Sequence, residues 1–294
     1  MGRLNFYFKL TEKNKQFESK LKNILENKLS EGNVYILDRL LLLDSEPYEN
    51  LIMVLVPNHK IIIIKTGDKF EDDFENLKED VGKLSWQYGF EKIIGRRKEW
   101  DKEYFIKIDE DINDLVLEKL NANEDKRRVN ILISIIIGSI NEAERIKSLN
   151  VGENLIERIK RRIILLDTDQ LNFIYEEKGQ KRVVIQGLSG TGKTELLFHK
   201  IKNYYIKPEK YRIMLTCHNR VLANTLRKRI EEFFNLMKVS KQINPDYLKI
   251  FHAWGSKYDE NSGAYRYITH FYGIPFRSFR QSDFDDACES AIKE

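Results

Sequence analysis

Gly187-Leu188-Ser189-Gly190-Thr191-Gly192-Lys193-Thr194 satisfies the pattern G-x-x-x-x-G-K-[ST] at every required position. The glycines let consecutive backbone N–H groups close around phosphate oxygens, where a Cβ would intrude. The apolar run Val183-Val184-Ile185 before the loop reads as a buried strand. Thr194 to Ile206 after it carries Leu197, Ile201 and Tyr204 or Tyr205 at helical spacing. A strand, a glycine loop and a helix N-terminus in succession make a polyphosphate site. In such a site Gly187, Ser189, Gly190, Thr191 and Gly192 cradle the phosphates of ATP. Lys193 reaches the β- and γ-phosphates and the Thr194 hydroxyl ligates Mg²⁺, so these two side chains are the expected catalytic participants.

Working outward from the loop, strand and helix alternate. Arg212 to Thr216 reads as a second strand and Tyr247 to Phe251 as a third. Between them, Asn219 to Met237 is a strongly amphipathic helix with Leu222, Leu226, Ile230, Phe233, Phe234 and Met237 on one side and Arg227, Lys228 and Arg229 on the other. The expected fold class is therefore α/β. An N-terminal α/β accessory domain, residues 1–150, precedes a partial RecA-like P-loop NTPase domain with a parallel sheet, residues 151–294.

Composition bounds this reading without deciding it. A chain of 294 residues suits about two domains. Charged residues make up 33% but nearly cancel, to a net +4, so bulk charge names no partner. Cys217 and Cys288 are far apart with no metal-ligand spacing, which fits a reducing, cytoplasmic setting and argues against a disulfide framework. Met1 to Leu10 mixes charges with aromatics and does not read as a signal peptide. The longest apolar stretch, Ile131 to Ile140, is about half of what a membrane span needs, so no membrane association is expected. The richness in Lys, Ile and Asn hints at an AT-rich, bacterial genome.

In the first half, Leu4 to Phe8 is a short strand and Lys13 to Leu29 a helix with Phe17, Leu21, Ile24 and Leu25 on one face. Val34 to Leu43, Leu51 to Val56 and Lys60 to Lys65 read as consecutive strands, the last two joined by a hairpin turn at Pro57-Asn58-His59-Lys60. Asp68 to Asp80 reads as a surface helix, Trp86, Tyr88 and Phe90 as a packed return, and Tyr104-Phe105-Ile106 as another strand. Asp109 to Leu120 and Arg128 to Ser148 read as helices. The domain boundary is expected at Asn150 to Gly152, followed by a basic helix from Leu155 to Leu166.

Three further segments acquire meaning from their order. Leu166-Asp167-Thr168-Asp169-Gln170-Leu171 lies upstream of the loop. Leu215-Thr216-Cys217-His218-Asn219-Arg220-Val221-Leu222-Ala223 and Ile250-Phe251-His252-Ala253-Trp254-Gly255 lie downstream. From Leu165 onward this order resembles the UvrD/Rep-like superfamily 1 helicases, with their Q motif, Walker A loop, motif Ia and a segment like T-F-H-x-[FWL]-[GA]. The chain is also similar to bacterial helicase-like proteins with long N-terminal extensions. In those, a Trp-Gly is followed by Gly-x-Tyr and Phe-Asp-x-Ala-Cys, here Trp254-Gly255, Gly263-Ala264-Tyr265 and Phe284-Asp285-Asp286-Ala287-Cys288.

The resemblance implies roles. Gln170 would read the adenine edge through an amide that both donates and accepts, although a polar residue at a helix start, capped by Thr168 or Asp169, has the same look. Thr216, His218, Asn219 and Arg220 would touch a single-stranded DNA backbone, although a plain capped helix explains them equally. Phe251, His252 and Trp254 would line the path of the strand and stack on bases, the alternative being a core strand with a buried tryptophan. Cofactors implied are ATP and Mg²⁺.

Hydrolysis also needs a carboxylate pair behind a buried strand. No apolar run followed by Asp-Glu occurs after residue 194: Asp283, Asp285 and Asp286 sit on a charged helix-like segment. Leu40 to Leu43 before Asp44-Ser45-Glu46, and Ile163 to Leu166 before Asp167, both precede the loop. The chain thus reads as part of a helicase ending before these carboxylates. The alternative is a short nucleotide-binding partner without turnover, for instance in an antiphage defence complex. Extensions on such helicases are sometimes restriction-like nucleases, and Lys65 holds their lysine position. Ile63 and Ile52 or Leu51 stand where metal-binding acids belong, so residues 1–150 read as an inactivated relative or as a module for protein or DNA contact.

Overall fold

The computed structural model describes residues 3–42, 45–140, 165–176, 182–239 and 242–293. It is an α/β structure that divides into two compact units, Met1–Gly179 and Gln180–Glu294. The expected boundary at residues 150–152 and the basic helix before residue 165 lie outside the described residues. The helix expected from Arg128 to Ser148 instead starts at Asn123 and ends at Ile136, capped by Ile137.

The first unit is built on a five-stranded sheet in sequential order: β1 (Leu4–Lys9), β2 (Gly32–Leu37), β3 (Leu51–Leu55), β4 (Ile61–Lys65) and β5 (Phe105–Ile108). The outer pairs β1–β2 and β4–β5 are parallel, while β2–β3 and β3–β4 are antiparallel. The hairpin between β3 and β4 turns at Asn58, which adopts a positive φ of 67° that asparagine tolerates. β3 and β4 are apolar on both faces because both are covered. On one face α1 (Glu18–Lys28) brings Leu21 and Leu25 against Val34, Ile36, Ile52, Val54, Ile62 and Ile64. The other face carries α2 (Phe70–Gln87), α3 (Glu91–Ile94), α4 (Arg97–Glu103), α5 (Asn123–Ile136) and α6 (Thr168–Tyr175). Ile64 is fully buried, so Ile64→Ala is expected to cost about 3 kcal/mol. Urea unfolding read through the buried Trp100 would register it as a lower midpoint.

Several sequence expectations change here. β2 stops at Leu37 instead of running to Leu43. The next residue, Asp38, is fully buried and accepts from Thr11 N (2.6 Å), Asn14 Nδ2 (3.2 Å) and Arg39 Nε (3.1 Å), which turns the chain out of the sheet. Residues 109–120 are not a helix. A short 3-10 turn, Ile112–Asp114, is followed by extended chain, because Ile112 and Leu115 are drawn into the core under the sheet. The helix after Gly67 is longer than a surface helix of residues 68–80 and buries Phe70, Phe74, Leu77, Val81 and Leu84. Trp86 on that helix is 75% exposed, whereas its neighbours Tyr88 and Phe90 pack inward.

The second unit contains α7 (Lys193–Tyr205), β6 (Ile213–Cys217), α8 (Arg220–Leu236), β7 (Leu248–His252), α9 (Ala264–Tyr272) and α10 (Phe284–Lys293). β6 and β7 are parallel, the expected arrangement. α8 lies along them and buries Leu226, Ile230, Phe233 and Phe234, while Leu222 near its start remains 43% exposed. α7 packs on α8 through Phe198 and His199 against Phe233.

Candidate nucleotide and nucleic-acid site

The phosphate-loop segment is built as a turn that feeds a helix. Thr191 N and Oγ1 both donate to Leu188 O, at 3.4 and 2.8 Å. Gly190 and Gly192 have φ of 79° and 82°, a conformation that only glycine takes without strain. Gly192 is the N-cap of α7, so the unpaired N–H groups of the first turn open onto the loop. Lys193 Nζ curls back over it and donates to Gly187 O (2.8 Å) and Leu188 O (2.5 Å). A Cβ at Gly190 or Gly192 would meet nothing within 4 Å, so the space beside both is open. An anion-accepting concavity of backbone N–H groups with a lysine at its rim fits a polyphosphate. Ser189 is exposed on the loop and Thr194 is half-buried in the first turn of α7.

The segment before the loop departs from expectation. Val183 and Val184 are 55% and 77% exposed, and residues 182–188 form no strand. Among the described residues of this unit only β6 and β7 form a ladder, and neither pairs with Val183-Val184-Ile185. An extended segment without a ladder partner leaves both its backbone and its apolar side chains to water.

The direction of α7 places the loop. At the C-terminal end of the helix, Tyr204 meets the Tyr211 ring at 5.0 Å. Tyr205 Oη donates to Gln242 O and accepts from Asn244 N, each at 2.8 Å. Both contacts are with residues leading into β6 and β7. The 13-residue helix therefore runs antiparallel to the strands and, over roughly 20 Å, carries the loop toward their C-terminal ends. That is the end where α/β sheets bind ligands.

Thr216, His218, Asn219, Arg220 and His252 occupy the same end. The strand register sets Thr216 beside Phe251 and Cys217 beside His252, so the two downstream motifs lie side by side. Thr216, His218 and Arg220 are exposed. Asn219 Oδ1 accepts from Leu222 N at 2.8 Å, which makes Asn219 the N-cap of α8, as the plain-helix alternative has it. His252 Nε2 accepts from Gly255 N at 3.1 Å, which requires the neutral ring with its proton on Nδ1. Partial burial holds the His252 pKa below its ordinary value, and the Arg220 and Arg227 guanidiniums lower it further. Arg227, read from sequence only as part of a basic face, donates to Ile250 O (2.5 Å) and Asn224 Oδ1 (2.6 Å) and so ties α8 to β7.

The aromatic residues are placed differently from the stacking expectation. Phe251 is 5% exposed and packs on Tyr267 with ring centres 5.5 Å apart. Trp254 is half-buried, packs on Phe284 (5.3 Å) and Tyr265 (6.1 Å), and donates from Nε1 to Arg277 O at 3.0 Å. Both rings serve the interior because the Trp-Gly, Gly-x-Tyr and Phe-Asp-x-Ala-Cys segments converge. His252 bridges Gly263, Tyr265 N donates to Ala253 O (2.9 Å) and Arg266 N to Trp254 O (3.0 Å).

Gln170 belongs to α6 in the first unit, whose helix packs on β1 and β2. Its Oε1 accepts from Asp167 N (2.9 Å), while its own N–H donates to Asp167 Oδ1 (2.8 Å). The cap is thus Asp167 rather than Thr168 or Asp169, and the acceptor half of the glutamine amide is used in this reciprocal box. Ile52 and Ile63, at the positions a nuclease would give to metal-binding acids, are fully buried apolar residues of the sheet. Among the described residues no group of three or more His, Cys, Asp or Glu side chains is placed to hold a metal. Among the described residues, too, no helix is long and apolar enough to cross a membrane.

No curated protein matches the chain. Residues 144–264, a stretch that includes the phosphate loop, β6, α8 and β7, match the family described as type III restriction enzyme, res subunit, a helicase-like P-loop ATPase domain.

Proposed function

We propose that the second unit is the ATP-binding part of a UvrD/Rep-like superfamily 1 DNA helicase or translocase, which couples ATP hydrolysis to movement on single-stranded DNA. The observation that carries the proposal is the direction of α7. It turns a glycine loop of phosphate-binding geometry toward the strand ends that present Thr216, His218, Arg220 and His252. On this reading Gly187, Ser189, Gly190, Thr191 and Gly192 hold the phosphates of ATP. Lys193 exchanges its two loop carbonyls for phosphate oxygens, and Thr194 is the protein's ligand to Mg²⁺. Bound ATP supplies a transferable γ-phosphoryl group. Thr216, His218, Asn219 and Arg220 contact the strand's phosphates beside it. The protein acts in the cytoplasm of a bacterial cell, and residues 1–150 contact a protein partner.

Lys193→Ala is expected to weaken Mg-ATP binding by at least about tenfold, since a charge-assisted contact to the phosphates is lost. Titration with a fluorescent ATP analogue reads this directly, and an unchanged affinity would sink the proposal. A second reading rests on the phosphate loop alone, which holds a nucleotide whether or not it is turned over. It makes the protein a nucleotide-binding regulatory or assembly subunit of a bacterial complex, such as an antiphage assembly, without its own turnover. ATP binding with no hydrolysis in the presence of single-stranded DNA would select it.

A further inference from the structure

Between α9 and α10 the chain makes a turn, Ser278–Gln281, which none of the nucleotide or strand-end motifs includes. Four hydrogen bonds fix it: Gln281 N to Ser278 O (2.8 Å), Ser282 N to Ser278 O (3.3 Å), Ser278 N to Gln281 Oε1 (2.9 Å) and Ser278 Oγ to the same oxygen (3.0 Å). At its tip stands Phe279, 73% exposed. Arg280 places its guanidinium 5.8 Å from the centre of that ring, and Arg277, two residues before Phe279, is exposed.

A single exposed ring is ordinary on a protein surface. This ring is held by a closed turn between two arginines, and the turn is itself anchored. Trp254 Nε1 donates to Arg277 O (3.0 Å), Arg277 N donates to Tyr265 Oη (3.4 Å), and Phe276 packs on Tyr265 at 5.5 Å. Trp254 stands two residues beyond His252, so the turn is pinned to the strand end where Thr216 and Arg220 are exposed. An exposed aromatic face flanked by guanidiniums is the chemistry that takes an unstacked base and its flanking phosphates. The acidic run Asp283, Asp285 and Asp286 follows the turn, at the start of α10. There Asp283 is tied into its own helix by accepting from Asp286 N (2.9 Å).

We propose that the turn Ser278–Gln281 is a stacking element for single-stranded nucleic acid, in which Phe279 takes a base and Arg277 and Arg280 take phosphates. Trp254 is its positioning residue, working from inside rather than stacking itself. The inference rests on the proposal that this unit engages a single strand.

The test is fluorescence anisotropy of the full chain with labelled oligo(dT) and, in parallel, oligo(rU), which distinguishes DNA from RNA as the source of the strand. Phe279→Ala is expected to weaken binding about tenfold with its salt dependence unchanged, and Phe279→Tyr to restore it. Phe279→Leu, apolar but unable to stack, should behave like the alanine variant. Arg277→Ala with Arg280→Ala should lower the slope of log K against log salt by about 1.4. Trp254→Phe keeps a ring but loses the bond to Arg277 O. Its effect on binding should vanish in the Phe279→Ala background, which a merely structural role would not produce. If the wild-type chain binds neither oligonucleotide, the inference falls together with the functional proposal. If it binds and Phe279→Ala is unchanged, the inference alone is wrong. Wild-type affinity in Phe279→Leu would show that the ring does not act by stacking and would overturn the inference.

Discussion

Gly263→Ala is expected to cost the second unit about 3 kcal/mol or more, the largest single-site effect on its stability. Gly263 is extended, so no unusual φ demands a glycine there. The demand comes from across the turn. A Cβ on Gly263 would stand 2.7 Å from the carbonyl carbon of Trp254 and closer still to N and Cα of Gly255. All three are backbone atoms and cannot swing aside as a side-chain tip would. Relief would require separating the end of β7 from the start of α9, with loss of the bonds from Tyr265 N to Ala253 O and from Arg266 N to Trp254 O. Gly255 faces the same approach with a φ of 102°, so the two glycines form one tight crossing. Trp254 sits at this crossing, while the other two tryptophans, Trp86 and Trp100, belong to the first unit. Urea unfolding followed by tryptophan emission in a Trp86→Phe, Trp100→Phe background therefore reports the second unit. A midpoint equal to that of the glycine form would refute the steric account.

The second large effect is on pH dependence. His199 lies on the buried side of α7, with its ring 4.9 Å from Phe233 and edge-on to it. Burial lowers its pKa to about 3, and the nearby Lys202 ammonium adds to the shift. The unfolded chain has an ordinary histidine, near 6.5. Above pH 6.5 the ring is neutral in both states and its contribution to stability is complete. As pH falls below 6.5 the unfolded state binds a proton that the folded state does not, so stability declines by about 1.4 kcal/mol per pH unit until pH approaches 3. The full span is roughly 5 kcal/mol, of which about 2 kcal/mol falls between pH 6.5 and 5. Glu195, whose pKa burial raises against the attraction of Arg229, acts in the opposite sense, gaining stability as pH falls. His199→Leu removes the proton site at similar volume and should flatten the decline between pH 6.5 and 5. An equal slope in wild type and variant would show that some other group controls acid sensitivity.

The features legible in the sequence are those whose physical demand is local. The positive φ values at Gly190 and Gly192 belong to a few consecutive residues, and the glycine pattern announces them. The 3.6-residue recurrence of Leu226, Ile230, Phe233 and Phe234 fixes the buried side of α8 whatever it packs against. The same holds for the hairpin at Asn58, and for β6 and β7 on either side of a long helix.

Which side chains of a given chemistry face water is set by the packing of distant segments. Phe251 and Trp254 look like stacking residues in isolation. They turn inward because Tyr267, Tyr265 and Phe284, between 11 and 30 residues further along, supply the ring contacts. Phe279, with nothing in its immediate sequence to distinguish it, is held out by Gln281 and by the anchor at Trp254. Val183 and Val184 carry every local mark of a buried strand and still face solvent. A strand is a property of the neighbour that completes its ladder, and no described strand lies beside them. Asp109 to Leu120 fails as a helix for the related reason that burying Ile112 and Leu115 beneath the sheet outweighs the few tenths of a kcal/mol of intrinsic helix preference. Conformational preference is set within a turn or two of chain, whereas burial is set by residues that sequence distance does not reveal.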